Sequence, residues 1–511
     1  MELYQQNKRK KIKNLAKFQR RLSRKQNGSK PREKARLRID KLLMSATIIL
    51  TITEGSIKGQ QFIFEERTTC VIGRSYDCYP QLPNDRAHRT ISRYHCLFDI
   101  NPPDIRVRDF GSKNGTYVNG QKIGQRPANQ TPLQAAHLNF PEYDLSEGDE
   151  IKIGSTVIKV SILGTREGDR SDFLNNLGIE DDDETIAESK VSHGSTTAQF
   201  NQQEIVKNLR QIVNEGEPNL KALQEYTIIK QLSSGECSQD YLTLNEDSGE
   251  LLVLKIMLPQ VRVSQRAREM FLQEVENTKA LDHPHIVKFQ DYSYFNGTFF
   301  LTLEYCHGGT VVDLMQREGG KLSVEQALQI MFEVLDGLEY AHNAEVPYVK
   351  QADSSFSQGR GLVHRDLKPH NIVLGNVRGT SVAKIANYGL AKAFDIAGLS
   401  GQTMSGLTLG LPVFVPRQQV ISFNYMKPEM DVWAMAATLY YMLTGAYPRD
   451  FLERDPFLVV LQTNAVPIRE RDVSIPKNLA EVIDLGLTDT PEIYFKSAAK
   501  FKQALMNSVE N

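Results

Sequence analysis

The chain has 511 residues, enough for about three domains and at least one large core. Its composition, 40% hydrophobic and 24% charged with 34 Gly and 21 Pro, excludes a collagen-like, fully disordered or membrane-bundle chain. The net charge of −1 hides an asymmetry, because residues 1–43 carry 16 Lys/Arg against 3 Asp/Glu, a net of +13.

Within that basic arm, Ile12, Leu15, Phe18 and Leu22 share one arc at helical spacing. Residues 1–43 therefore read as a disordered tail or a basic amphipathic helix. Such an arm is expected to meet anions: nucleic acid, an acidic membrane surface or an acidic segment of the chain itself. It lacks the apolar core and cleavage site of a secretory signal. No apolar run approaches the roughly 18 residues of a spanning helix, so no transmembrane segment is expected. The five cysteines (Cys70, Cys78, Cys96, Cys237, Cys306) form no C-x-x-C pair, which argues against a zinc site or a disulfide framework. A scattered, odd set fits a reducing, cytoplasmic setting.

Residues 46–162 read as β. Alternating runs recur with turn signals between them: Ile48, Leu50 and Ile52; Phe62 and Phe64; Ile105 and Val107; Ile151 and Ile153; Ile158, Val160 and Ile162. An all-β sandwich follows. Two of its loops stand out, Gly73-Arg74-Ser75 with Ser92-Arg93-Tyr94-His95, and Asp109-Phe110-Gly111-Ser112-Lys113-Asn114-Gly115-Thr116. Holding a phosphorylated peptide takes a fixed guanidinium, a short hydroxyl and amides for the peptide backbone. Taken singly, each residue is ordinary turn chemistry. Together they resemble the forkhead-associated (FHA) domain pattern G-R, S-R-x-H, S-x-N-G-T and N-G. The resemblance implies that Arg74 and Ser92 hold a phosphothreonine phosphate, helped by Arg93 or Lys113. It implies that Asn114 holds the peptide backbone, and that His95 buttresses the loop. The stretch 124–144 is longer than the usual hairpin there, and is expected to cover an edge or reshape the peptide surface.

Residues 163–222 form an acidic linker. Between 164 and 222 there are 12 acids to 6 bases, with one helical stretch near 205–213. Thr185 follows its acidic run and is a candidate phosphosite for the chain's own FHA loops.

Residues 224–508 read as an α+β unit with strands first and helices after. Its strongest signal is His364-Arg365-Asp366-Leu367-Lys368-Pro369-His370-Asn371. Phosphoryl transfer to a hydroxyl needs a carboxylate to orient the nucleophile, a cation near the moving phosphate and an oxygen donor for metal, and Asp366, Lys368 and Asn371 have that spacing. The unit resembles the two-lobed, eukaryotic-like (bacterial-type) Ser/Thr protein kinase. The resemblance implies ATP with Mg²⁺ or Mn²⁺ as cofactors and protein Ser/Thr hydroxyls as substrates. Lys255, in Leu252-Val253-Leu254-Lys255, would meet the phosphates, with Glu274 as its helix partner. Leu232, Gly235 and Val253 would cover the nucleotide. Leu301-Thr302-Leu303-Glu304-Tyr305-Cys306 would be the hinge, with Leu303 as gatekeeper and Glu304 and Cys306 beside adenine. Asp431-Val432-Trp433 would anchor the catalytic loop from below.

The pattern breaks in places. The metal-binding triplet reads Asn387-Tyr388-Gly389, where the family has Asp-Phe-Gly; with Asn371, Asn387 would hold metal through amide oxygens that bring no charge. Only Gly235 survives of the glycine-rich loop, aligned over Ser233–Ser238. Where the family ends its activation segment with Ala-Pro-Glu this chain reads Pro416-Arg417-Gln418, and the later arginine position is Tyr494, so the buried ion pair there is expected to be replaced at both ends. Ser400, Thr403, Ser405 and Thr408 are candidate activation-loop phosphosites, and Val346–Gly361 is read as a surface loop. Two functions fit: a phosphothreonine-recognising signalling kinase, or a pseudokinase adaptor with weak or no phosphotransfer because of Asn387.

Overall fold

The computed structural model describes residues 46–163, 226–257, 265–388 and 412–510, apart from short breaks at 66, 87, 133, 139, 235–237, 247, 296–297, 351–355, 378–379, 422–426 and 453–454. The arm, the linker beyond Leu163 with Thr185, and the activation-loop hydroxyls lie outside the described residues.

Ten strands build the N-terminal sandwich: β1 (Thr47–Glu54), β2 (Gln61–Phe64), β3 (Thr68–Ile72), β4 (Cys96–Asn101), β5 (Asp104–Asp109), β6 (Thr116–Val118), β7 (Gln121–Gly124), β8 (Tyr143–Leu145), β9 (Glu150–Ile153) and β10 (Thr156–Leu163). They form an antiparallel six-stranded sheet, β2-β1-β10-β9-β6-β7, and a four-stranded one, β3-β4-β5-β8. Strand periodicity decides what faces the core: Ile48, Leu50 and Ile52 of one sheet meet Ile72, Phe98 and Val107 of the other. Each such fully buried side chain contributes about 1.5–3 kcal/mol relative to leaving it in water.

The C-terminal unit begins with an antiparallel five-stranded sheet, in the order β11 (Tyr226–Ser234), β12 (Ser238–Asn245), β13 (Leu251–Met257), β15 (Thr298–Glu304), β14 (Phe289–Phe295). Helix α1 (Gln265–Lys279) packs on it through Phe271, stacked on Phe299 at 3.9 Å between ring centroids. The helical lobe follows with α2 (Val311–Arg317), α3 (Val324–Asn343), α4 (Arg417–Ile421), α5 (Pro428–Thr444), α6 (Pro456–Gln462), α7 (Ile468–Arg471), α8 (Lys477–Gly486) and α9 (Ala498–Glu510). Helix α3 starts at a capping box, in which the Ser323 hydroxyl accepts from Gln326 N while the Gln326 side chain accepts from Ser323 N. Helix α5 is buried almost all round and ends where Gly445 adopts φ 69°, a left-handed cap that glycine takes without strain. Among the described residues no helix is long and apolar enough to cross a membrane.

Two expectations need correction. The stretch expected to be a loop after α3 is a β-hairpin, β16 (Glu345–Lys350) and β17 (Phe356–Arg360). It is pinned to α1 by the buried Asn277, whose amide donates to Tyr348 O and accepts from Tyr348 N, both at 2.9 Å. The segment 124–144 turns toward the helical lobe: its one-turn helix Gln134–His137 packs beside α6, with Ala135 fully buried.

The sandwich and the helical lobe also pack on each other. Val71 of β3, Leu97 of β4, Cys78 and Phe110 point away from the sandwich core and join the helical lobe's apolar cluster. Helix α4 lies against β3, and α6 approaches Gly111 through Leu458. Arg108 of β5 pairs with Asp455, the N-cap of α6, at 2.8 Å, and both side chains are almost wholly buried.

Candidate functional site

The catalytic loop is held from beneath. Asp431, at the start of α5 and 1% exposed, accepts from His364 N (2.7 Å), Arg365 N (2.9 Å) and His342 Nε2 (2.9 Å). Burial raises the Asp431 carboxyl, but the His342 hydrogen bond and the nearby imidazoles outweigh it and leave it below the usual carboxylate range. These bonds fix Arg365 at φ 76°, a left-handed conformation costly for a side chain of its size. The buried His364 donates from Nε2 to Ala386 O (2.8 Å) and accepts from Asp366 N (3.3 Å), and burial keeps its pKa below that of a free imidazole.

Upon this platform the expected trio comes together. Lys368 Nζ lies 3.0 Å and 2.9 Å from the two Asp366 carboxylate oxygens. Asn371 Nδ2 donates to Asp366 O at 2.6 Å and to Asp366 Oδ2 at 3.0 Å. The carboxylate is thus oriented from two sides, as a group that positions a hydroxyl nucleophile must be.

Asn387 stands next to Asn371 and donates to its Oδ1 at 2.9 Å. Its φ of 60° is a conformation that asparagine tolerates better than most residues, so the backbone accepts the change and the loss is one of charge. Tyr388 keeps the aromatic role: it is buried, T-shaped to His364 at 4.9 Å, and bonded to Leu362 O and to Thr278 of α1. Two linked amides are a poor donor set for a hard cation such as Mg²⁺ on their own. The anionic oxygens would have to come from the nucleotide.

On the sheet side, Val253 and Leu303, the residues expected as roof and gatekeeper, sit opposite each other in register, while Leu232 is 39% exposed on β11. Gly235 and Gly389 lie outside the described residues. Glu304 turns away from the cleft to Lys384 Nζ (2.6 Å) and Lys288 N (3.1 Å). Cys306 is partly buried, and burial pushes its thiol up to about 12. Lys255 departs from expectation. Among the described residues its ion-pair partner is Asp240 on β12, with Nζ at 2.7 Å and 2.8 Å from the two oxygens, not Glu274. Glu274 is buried on α1 and engaged elsewhere. Asp240 is not among the residues the sequence singles out, although a signal existed: it stands two residues after the last position of the glycine-rich pattern, where valine is usual.

At the end of the activation segment a buried ion pair stands beside the two replaced positions, and Gln418 joins it by donating to Asp489 O at 2.7 Å. Arg417 donates from its backbone to Asp489 Oδ2 (3.0 Å) and holds Asp489 Oδ1 with its guanidinium at 3.8 Å; Arg449 reaches Asp489 Oδ2 at 2.6 Å. All three are buried, and Tyr494, the expected counterpart, is 54% exposed. Gln419 extends the network to the catalytic loop by donating to Arg365 O at 2.9 Å.

In the sandwich, the two loops converge as their resemblance implies. Arg74 is fixed by Ile91 O (2.8 Å) and Asn84 Oδ1 (2.6 Å). Ser92 Oγ accepts from Lys113 N at 3.0 Å, and Asn114 Nδ2 donates to Thr90 O at 2.6 Å. His95 is fully buried, accepting from Ser92 N and donating to Gly115 O, and burial lowers its pKa. Arg93, Lys113 and Asn114 remain exposed. The same loop's Tyr94 packs on the helical lobe, so one face is anchored and the other left to solvent.

Residues 226–478 match the sequence model of the protein kinase domain, and residues 70–154 match that of the FHA domain. The chain therefore carries a protein kinase domain joined to an N-terminal FHA domain. Its similarities run to bacterial serine/threonine kinases. It is 31% identical over 241 residues to a probable serine/threonine-protein kinase of Bifidobacterium longum, covering 47% of this chain and 29% of that protein. It is 26% identical over 285 residues to the serine/threonine-protein kinase PknA of Mycobacterium tuberculosis, covering 55% and 60% respectively. The crystal structure of the Mycobacterium tuberculosis PknI kinase domain aligns over 56% of this chain and 96% of its own at 22% identity, with a TM-score of 0.42. The chain spans less than two thirds of the length of these curated relatives.

Proposed function

We propose that this chain is a signalling kinase that docks phosphothreonine-containing proteins on its FHA loops and transfers the γ-phosphate of ATP to Ser or Thr hydroxyls. The Asp366 carboxylate, clamped by Lys368 and Asn371, is the observation that carries the reading. Asp366 orients the acceptor hydroxyl, Lys368 neutralises charge on the moving phosphate, and Asn371 fixes the loop. Arg74 and Ser92 take the phosphate of the docked protein, Asn114 its backbone, and Arg93 or Lys113 adds charge. Asn371 and Asn387 are the residues that would hold the divalent ion, Mg²⁺ or Mn²⁺, and would hold it weakly because their amide oxygens bring no charge. The basic arm adds an electrostatic contact for an acidic partner, the chain's own linker included.

A second reading, a pseudokinase scaffold, is favoured by one observation, the uncharged Asn387–Asn371 pair. The two separate by product mapping. The full chain is incubated with ATP and either ion in the presence of a mixed protein substrate, and new phosphoserine and phosphothreonine are located by mass spectrometry. The kinase reading expects sites that vanish in Asp366→Ala; sites equally abundant in both, or absent from both, leave the scaffold.

A further inference from the structure

Asp240 faces Lys255 squarely. The two residues are opposite each other in the β12–β13 register, with Leu242 opposite Val253 one step on. Val253 and Lys255 share one face of β13, the face turned to the nucleotide cleft, so Asp240 lies on that face too. Gln239 and Tyr241, its neighbours along β12, are buried on the other side and bonded to each other at 2.7 Å. Aspartate is a poor strand former, and a cleft-facing strand position gives it no local reason to be there. Its carboxylate is 21% exposed, open enough to exchange partners, whereas the lysine side chain it holds is only 7% exposed.

Charge in the cleft has been relocated. The floor has asparagine where the family has a carboxylate, and the roof has gained a carboxylate. The floor position would have gathered a cation beside the nucleotide; the roof position instead neutralises Lys255, the sheet-side lysine placed to meet its phosphates. We infer that Asp240 is an internal competitor for the nucleotide, holding Lys255 in a closed ion pair that a nucleoside di- or triphosphate must break. This rests on the kinase reading of the cleft and adds a built-in restraint to it. Nucleotide entry exchanges the Asp240 carboxylate for phosphate oxygens on Lys255 and leaves Asp240 facing a polyanion. Affinity is lowered on both counts.

The test is the dissociation constant of ADP and ATP for the full chain, with and without Mg²⁺, in wild type, Asp240→Asn, Asp240→Glu and Lys255→Met, and in the Asp240→Asn/Lys255→Met double variant. Removing one screened charge from direct competition is expected to tighten binding on the order of tenfold or more in Asp240→Asn. Asp240→Glu keeps the charge and is expected to bind as wild type does. The gain is expected to shrink in the Lys255→Met background, since no lysine is left to compete for. Unchanged or weaker binding by Asp240→Asn, while wild type binds measurably, overturns the inference and leaves the kinase reading intact. A gain equally large without Lys255 overturns it too. Thermal melting separates a structural role: a lowered Tm with no gain in affinity makes Asp240 a sheet brace, and the inference falls. If no variant binds nucleotide at millimolar concentration, the kinase reading falls with it.

Discussion

The contact between the FHA sandwich and the helical lobe includes one buried ion pair beside its apolar packing, and reversing that pair has a calculable cost. Arg108 is 10% exposed and Asp455 7%, so neither charge is screened as a surface pair would be. Removing one member of such a pair costs about 3–5 kcal/mol when the survivor is left bare. Here the survivor is not bare. Asp455 Oδ1 still accepts from Phe457 N (3.0 Å) and Leu458 N (3.2 Å) as the α6 cap. Arg108 itself has Nε and Nη2 buried without a hydrogen-bond partner among the described residues, so losing it also relieves a desolvation penalty. Its guanidinium does lie 5.2 Å from the Phe110 ring centre, an attraction of about 0.5–1 kcal/mol that is lost as well. Arg108→Ala is therefore expected to cost about 1–2 kcal/mol, and Arg108→Glu, which sets two carboxylates face to face, clearly more. In differential scanning calorimetry, Arg108→Glu should split off a separate transition for the sandwich. Hydrogen exchange should rise along α6 and β3, and the Arg108→Glu/Asp455→Arg swap should restore both. A melting profile and exchange pattern identical to wild type for Arg108→Glu would refute the role given to this pair.

Other outcomes follow from the same geometry. Arg74→Ala should lose phosphothreonine-peptide binding by at least tenfold in a calorimetric titration, since a fixed guanidinium supplies a charge-assisted hydrogen bond; unchanged affinity would remove Arg74 from the site. Asp489→Ala leaves Arg449 and Arg417 buried without their anion and should cost about 3–5 kcal/mol in chemical denaturation. His95 and His364 are held neutral by burial, so each folded-state pKa lies below the free value of 6.5. The unfolded chain then binds the extra protons, and stability is full above pH 6.5 and falls as pH drops below it. Melting temperatures measured from pH 7.5 to 5.0 should decline on that limb, and a flat profile would contradict the assignment.

What the sequence made legible depended on whether the chemistry was contiguous. His364 to Asn371 form one unbroken string, and Arg74, Ser92, His95 and Asn114 sit on short loops of a recognisable pattern, so their convergence could be read directly. Features built from distant residues were lost. The Lys255–Asp240 pair depends on strand register, which no single segment states. Arg417 and Asp489 form a buried ion pair beside Gln418 and Tyr494, so a search at the usual glutamate and arginine positions misses it. The hairpin after α3 resembled a loop because Pro347 and Gly359 punctuate it; strand pairing, the burial of Val346 and docking on Asn277 are contacts that its own segment does not announce. The second covered face of the sandwich did leave a trace. Cys96-Leu97-Phe98 is an unbroken apolar run in β4, and a strand with one solvated face would have alternated.

The most direct measurement is the initial rate of phosphate incorporation from γ-labelled ATP by the full chain, wild type beside Asp366→Ala and Asn387→Asp. Slow transfer is expected from wild type, abolished in Asp366→Ala and raised by Asn387→Asp as the floor of the cleft regains its charge. Incorporation that is equal in wild type and Asp366→Ala would contradict catalysis by this site.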